Sequence, residues 1–421
     1  MFFFYQIIVL IIILLSPVIL IFRILKNKEH KNRFKEKFGF FSKKRGVGKL
    51  IWFHGSSVGE LLSVIPLIEE LEKDDSINKI LITSSTLSSS LIFKRFKLKK
   101  TIHQFFPLDF IFFSKKFLNY WKPNIAIFIE SEIWPSIFLQ LKKKSIPLLL
   151  INARITKKTF TKWNRIDKFT KNIFNSISIA YPQNEETLKF LREMNIKKVK
   201  YIGNLKYSEN KQDQIKLLSK SFKRQLENRK IWCASSTHYN EEITCAKAHM
   251  SLKINYPNIL TIIIPRHINR IEEIKNQIES LNLNVICRSS KDKISKNTDI
   301  YLVDTYGETK KFYKVSNTVF LGGSLIEHGG QNPIEAASLG SNIIHGPNIS
   351  NFRDVYKLFN EKKISYKVNN LIELIKLLKI LIIRSRNSKN NYLRIKQIGK
   401  KILIKTKNEI NKILKDENKK T

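Results

Sequence analysis

Residues 49–73 read KLIWFHGSSVGELLSVIPLIEELEK. An apolar run over Leu50 to Phe53 has the length and β-branched, aromatic character of a buried strand. Gly55 and Gly59 follow it, and the helical spacing of apolar residues then runs from Glu60 to Lys73. A strand that turns through glycine straight into an amphipathic helix is one half of a βαβ unit, and repetition of that unit builds a parallel sheet with crossover helices.

The unit does repeat. Lys79 to Thr83, Ile125 to Ile129, Pro147 to Ile151, Ile177 to Tyr181 and Val199 to Ile202 read as further strands, with helical stretches such as Asn184 to Met194 between them. After a polar, charged pause from Ser208 to Lys230 the alternation restarts with Ile231 to Ala234, Ile259 to Ile264, Asn284 to Cys287, Ile300 to Val303, Thr318 to Leu321 and Asn342 to Ile344. The tail from Asn369 to Thr421 reads as Lys-rich helix. The expected fold class is α/β in two similar halves: a membrane-anchor helix at 1–22, preferred over a cleaved signal peptide because no basic start and no small-x-small cleavage site flank it, a first domain at 23–207, a linker at 208–229, and a second domain with C-terminal helices at 230–421.

Composition narrows the function classes. The 421 residues carry 76 Lys+Arg against 35 Asp+Glu, a formal charge of +41, with 43% hydrophobic residues, 14 Gly and 11 Pro. So many apolar residues and so few chain breakers exclude a disordered or collagenous chain. Cys233, Cys245 and Cys287 form no CxxC pair, so neither a disulfide framework nor a zinc ribbon is indicated, and a reducing compartment fits. The basic excess suits an anionic membrane surface or a nucleic acid, but no nucleic-acid module accompanies it, and Lys, Ile and Asn are over-used throughout. No nucleic-acid partner is expected. Residues 1–22 are free of charge and, as a helix rising about 1.5 Å per residue, reach about the thickness of a bilayer core. Arg23, Lys26, Lys28, Lys31, Arg33, Lys35 and Lys37 follow at once, so the positive-inside rule puts the rest of the chain in the cytoplasm. A monotopic helix in the interface would leave the domains on the same side.

The candidate chemistry sits at strand ends, where open α/β sheets bind ligands. Glu60, in the first turn after the glycines, is favoured as a carboxylate by the helix N-terminus and is either a general base or an ordinary cap of its own helix. Glu130 and Glu132 close the next apolar strand; if that strand kept its two-residue alternation both would face one crevice, as an acid/base pair or as a cluster holding Lys or Arg. Lys206, in GNLK, ends another. In the second half the stretch FLGGSLIEHGGQNPIE at 320–335 ends a strand in paired glycines, with Asn332 as an N-cap, Pro333 at the first helical position, Ile334 after it and Glu335 in the first turn. Capping accounts for Asn, Pro and Glu but not for four glycines; a phosphate at that helix start, with Glu335 on ribose hydroxyls, accounts for both. Arg266 with His267, and Gly307 with Glu308, fall on the same sheet edge. Neither GxGxxG nor a Walker A sequence occurs, which argues against a dehydrogenase or P-loop ATPase.

Eight segments in order, HGSSVGE (54–60), ESEIWP (130–135), NARI (152–155), GNLKY (203–207), SSTHYNEE (235–242), PRH (265–267), DTYGE (304–308) and GGSLIEHGGQNPIEAASLG (322–340), resemble the 3-deoxy-D-manno-octulosonic acid (Kdo) transferases of lipopolysaccharide assembly. That resemblance implies a GT-B fold, two Rossmann-like domains facing a cleft, with the acceptor domain first and the CMP-Kdo domain second. It further implies inverting transfer of Kdo from CMP-Kdo to the lipid A precursor at the cytoplasmic face of the inner membrane, with no cofactor and no metal. Carried over by position, Glu60 is the base, Glu130 and Lys206 stabilise the transition state, and Arg266, His267, the Gly307–Glu308–Thr309 turn and Asn332 to Glu335 bind CMP. Ser131, Gln331, Ser235, Asn240 and Tyr306 stand where Thr, His, two Gly and Met are usual. Two other readings are a GT-B enzyme for a different nucleotide sugar and a membrane-tethered basic binding protein.

Overall fold

The computed structural model describes every residue except 97, 209–217, 384–387 and 419–421. The chain falls into two units, Met1–Glu209 with Gly399–Thr421, and Asn210–Ile398. In the first, β1 (Leu50–His54), β2 (Lys79–Ser84), β3 (Thr101–Phe105), β4 (Ile125–Ile129), β5 (Leu148–Ala153) and β6 (Ile179–Pro182) lie in the order β3-β2-β1-β4-β5-β6. Every pair is parallel, so the strands are covered on both faces and read as continuous apolar runs. Trp52 on β1 is fully buried between Phe117, 4.8 Å away, and Phe128 on β4, 5.1 Å away. The strand order reverses between β1 and β4, and that switch point is where such a sheet opens a crevice at its carboxyl edge.

The second unit has β7 (Lys230–Thr237), β8 (Ile259–Pro265), β9 (Val285–Cys287), β10 (Ile300–Leu302), β11 (Thr318–Leu321), β12 (Asn342–His345) and β13 (Ser365–Lys367), ordered β13-β12-β11-β7-β8-β10-β9 and again parallel. Its reversal lies between β7 and β11.

Helix α1 spans Phe2–Leu25 and α2 spans Val58–Glu72. The helix Ser388–Asn418 divides between the units: Gly399–Thr421 belong to the first, not to the second as the sequence boundary at 230–421 implied. The cause is a stripe at four-residue spacing, Ile402, Thr406, Ile410 and Leu414, all buried, with Glu409 accepting from Tyr181 Oη (2.9 Å) and Lys200 Nζ (2.7 Å) of the first unit. Gly399 is needed there, because a Cβ would stand 2.2 Å from the Tyr207 carbonyl oxygen. Val199 to Ile202 is no strand: one bridge, Ala180 to Val199, is all it makes before Gly203, at φ 117°, turns it away. β3 and β13 were not expected; β3 carries a half-buried His103 and a buried Gln104 and so lacks an apolar pattern. Of the expected linker at 208–229, residues 209–217 lie outside the described residues, and Lys220–Gln225 is helical with Phe222 buried.

Candidate active site

At the end of β1 the chain turns through Gly55 and enters α2 with Ser57 as N-cap. Ser57 Oγ accepts from the Glu60 amide (3.2 Å), and Glu60 Oε2 accepts from the amides of Ser56 (2.7 Å) and Ser57 (3.3 Å), a reciprocal capping box. Glu60 is thus held in one rotamer by backbone donors. Burial, then the negative charge of Glu132, push its carboxyl above the usual range despite those donors.

The two-residue alternation assumed for Glu130 and Glu132 fails, because β4 ends at Ile129 and Glu130 adopts the left-handed conformation (φ 56°). The two carboxylates therefore serve different partners. Glu132 Oε2 accepts from Ser56 Oγ (2.6 Å), Trp134 Nε1 (2.8 Å) and His54 Nε2 (3.1 Å). A carboxylate only accepts, so His54 carries a proton on Nε2, while its Nδ1 lies 2.9 Å from Thr83 Oγ1, a hydroxyl that also donates to the Phe53 carbonyl at 3.3 Å. Burial drives Glu132 up, but these donors outweigh it and hold the group below the usual range; burial lowers His54, which stays neutral. Ser56 ties the pair together, its amide on Glu60 and its hydroxyl on Glu132.

Glu130 Oε1 instead meets Lys206 Nζ at 2.5 Å. Asn152, at the end of β5, braces that ion pair: Nδ2 reaches Glu130 at 3.5 Å and Oδ1 accepts from the Leu205 amide at 3.0 Å. Ser131 keeps the hydroxyl that Thr would bring and donates it to the Arg154 carbonyl at 2.6 Å.

In the second unit the switch point is closed by a residue that sequence reasoning did not single out. Glu241 is 1% exposed, and its carboxylate accepts four amides: His238 (3.0 Å) and Gly323 (2.6 Å) on Oε2, Ser324 (3.1 Å) and Leu325 (3.0 Å) on Oε1. It ties the end of β7 to the loop after β11. Gly322 is obligatory, since a Cβ would lie 2.5 Å from the Ser236 carbonyl oxygen. His238 was likewise missed, although the strand-end rule applied to β8 applies equally to β7. Its ring centroid lies 4.2 Å from that of His328, the two rings tilted by 44°, and 5.9 Å from that of His267, which meets it edge-on. Nδ1 donates to the Ser236 carbonyl (3.0 Å), which leaves Nε2 buried and without a partner among the described residues. Burial, then His328, His267 and Arg266, lower its pKa. Beside His328 and Gly329 lies an open cleft of about 560 Å³ that Asn348, Ser350 and Arg353 also line.

Arg266 and His267 follow β8 on this edge, and Gly307 follows β10 at φ 79° with open space where a Cβ would go. Glu308 is committed elsewhere: Arg288 grips it with two nitrogens (3.0 and 3.2 Å) and Lys311 adds a third contact (2.7 Å), holding its pKa at about 2. Thr309 begins the next helix. The expected start of a helix at Pro333 shifts by one: Pro333 is the N-cap, the helix is only Ile334–Ser338, and Asn332 Oδ1 accepts the Ile334 amide at 3.1 Å. Glu335 pairs with Lys310 at 3.2 Å. Asn240, in place of a usual glycine, adopts φ 69°, which Asn tolerates better than most residues. Among the described residues no group of three His, Cys, Asp or Glu is arranged to hold a metal ion.

A profile of the 3-deoxy-D-manno-octulosonic-acid transferase (kdotransferase) family matches residues 32–209. The 3-deoxy-D-manno-octulosonic acid transferase of Rickettsia bellii is 33% identical over 395 residues, covering 92% of this chain and 93% of its own length. The chain belongs to the Kdo transferase family. The 3-deoxy-D-manno-octulosonic acid transferase of Haemophilus influenzae is 28% identical over 95% of this chain and 94% of its own. A solved UDP-N-acetylglucosamine 2-epimerase from Listeria monocytogenes, 11% identical, superimposes with a TM-score of 0.60 over 87% of this chain and 98% of its own, which shows the fold alone. This member of the family is accordingly a glycosyltransferase with the GT-B architecture of two parallel α/β sheets.

Proposed function

We propose that the protein transfers Kdo from CMP-Kdo to the lipid A precursor with inversion, Glu60 acting as general base. The observation that carries this is the separation of two neighbouring carboxylates: Glu132 is stabilised as an anion by three donors, while Glu60 is pushed upward by burial and by Glu132. Environments that push paired groups apart mark acid/base roles. In the proposed step the acceptor hydroxyl oxygen bonds to the ketosidic carbon of Kdo, its proton passes to Glu60, and the bond to the cytidylate phosphate breaks with its electron pair leaving on CMP. Lys206, held at Glu130, supplies positive charge in the first unit. In the second, Arg266, His267 and the backbone at Gly307–Thr309 and Asn332–Glu335 bind CMP; Glu308 contributes through the shape of its turn, because its carboxylate is already paired. The unpartnered Nε2 of His238 adds a group able to donate to an anion once protonated.

A lipid acceptor explains why α1 and the basic segment after it stand ahead of the enzyme, since tethering raises the effective concentration at the surface where the acceptor lies. We place the protein on the inner membrane with both units in the cytoplasm. No cofactor or metal is required in this scheme. Incubation with CMP-Kdo and a tetra-acylated lipid A precursor, followed by mass spectrometry, tests it: the acceptor gains Kdo and CMP is released, whereas an unchanged acceptor refutes the assignment.

A further inference from the structure

The two uncharged polar side chains early in α1 are both used. Tyr5 Oη donates to Asp109 Oδ2 at 2.7 Å. Gln6 makes two bonds, Nε2 to Ser136 Oγ (2.7 Å) and Oε1 from the Ile111 amide (2.9 Å). Asp109 is itself buried and caps the helix Pro135–Lys143 through the amides of Ser136 (2.9 Å) and Ile137 (3.0 Å). Tyr5 also lies 6.5 Å from the Phe169 ring. Val9, Ser16 and Leu20 continue the same helix face and are buried, so the side turned to the protein runs from residue 5 to residue 20. At about 1.5 Å per residue that docked length is about 22 Å, most of a hydrocarbon core of about 30 Å. The latched end is the one a membrane-crossing helix would carry farthest from the domain.

The other faces are bare. Phe3, Phe4, Leu10, Leu14 and Val18 are 43–71% exposed. Lys26, Lys28, Lys31 and Lys35, all exposed, come directly after the helix, in the position that suits anionic headgroups. An apolar helix with polar groups satisfied by its own protein and cations at its end has the character of an interfacial element.

We propose that α1 does not cross the bilayer but lies in the surface of one leaflet, latched to the first unit by Tyr5 and Gln6, with its bare faces against acyl chains and the four lysines on anionic lipid headgroups. This rests on the membrane location proposed above and deepens it. The test places a short hydrophilic tag with one cysteine ahead of Met1 of the full chain, with Cys287→Ser; Cys233 and Cys245 are buried and stay unreactive. A membrane-impermeant maleimide is then applied to spheroplasts and to inverted vesicles of a Gram-negative host. The expected result is labelling in inverted vesicles and none in spheroplasts, together with capture of Gln6→Cys by Ser136→Cys through a short thiol cross-linker. Labelling in spheroplasts would overturn the in-plane helix while leaving the transferase assignment untouched. Recovery of the protein free of membranes would overturn both the in-plane helix and the membrane location, and transfer to a detergent-dispersed acceptor would still report on catalysis separately.

Discussion

Replacing Glu60 by Gln separates its capping role from the base role proposed for it. The amide oxygen of Gln still accepts from the Ser56 and Ser57 amides, so the capping box survives. Burying a neutral group beside Glu132 also relieves the repulsion that raises the carboxyl. Stability should therefore hold, while the loss of proton acceptance removes about 10²–10⁴-fold of rate, or about 2.7–5.4 kcal/mol of transition-state stabilisation. Glu60→Ala should lose the same rate and, in addition, about 1 kcal/mol of stability as the cap donors go unpaired. The pH profile carries the sign: the base works ionised, so the rate should fall as pH drops through a pKa above the ordinary carboxylate range, and that limb should vanish in Glu60→Gln. Thermal unfolding measured beside initial transfer rates checks both halves. If Glu60→Gln retained rates within about threefold of the parent, far less than a lost base costs, Glu60 would be a cap and nothing more.

Lys206→Met strands the nearly buried Glu130 carboxylate; because the lysine is partly solvated the cost should be about 1–2 kcal/mol in urea unfolding, with loss of transfer, and Lys206→Arg should recover the stability. Glu241→Ala leaves four buried amides without acceptors at about 1–3 kcal/mol each, enough to collapse the loop after β11, whereas Glu241→Gln keeps one acceptor oxygen for two of them and turns an NH2 donor on the other two, so it should lose about half as much stability and raise the donor KM more than it lowers kcat. His238, lowered below the usual imidazole range in the free protein, should take up a proton when an anionic donor binds; donor affinity should then rise as pH falls, and His238→Ala should flatten that dependence in calorimetric titration.

The α/β class, the two sheets and most strands were legible because buried parallel strands are continuous apolar runs that periodicity detects. β3 escaped because His103 and Gln104 break its pattern, and the return of the chain at Gly399 escaped because a four-residue stripe in a Lys-rich helix does not name the surface it meets. Within the candidate site, the position of Glu60 in the first turn of the helix after β1 was legible. The left-handed turn at Glu130, which sends Glu130 to Lys206 and Glu132 to His54, is a tertiary outcome that no spacing reveals. Glu241 looked like any acid in a first helical turn; only the fold brings the glycine loop down onto it.

The most direct measurement is the fate of the acceptor in the presence of CMP-Kdo with parent and Glu60→Gln proteins side by side. Kdo transfer by this site requires one Kdo gained per CMP released with the parent and a rate lower by about 10²–10⁴-fold with the variant. A parent protein that leaves the acceptor unmodified, or a Gln variant that matches it, would contradict the assignment.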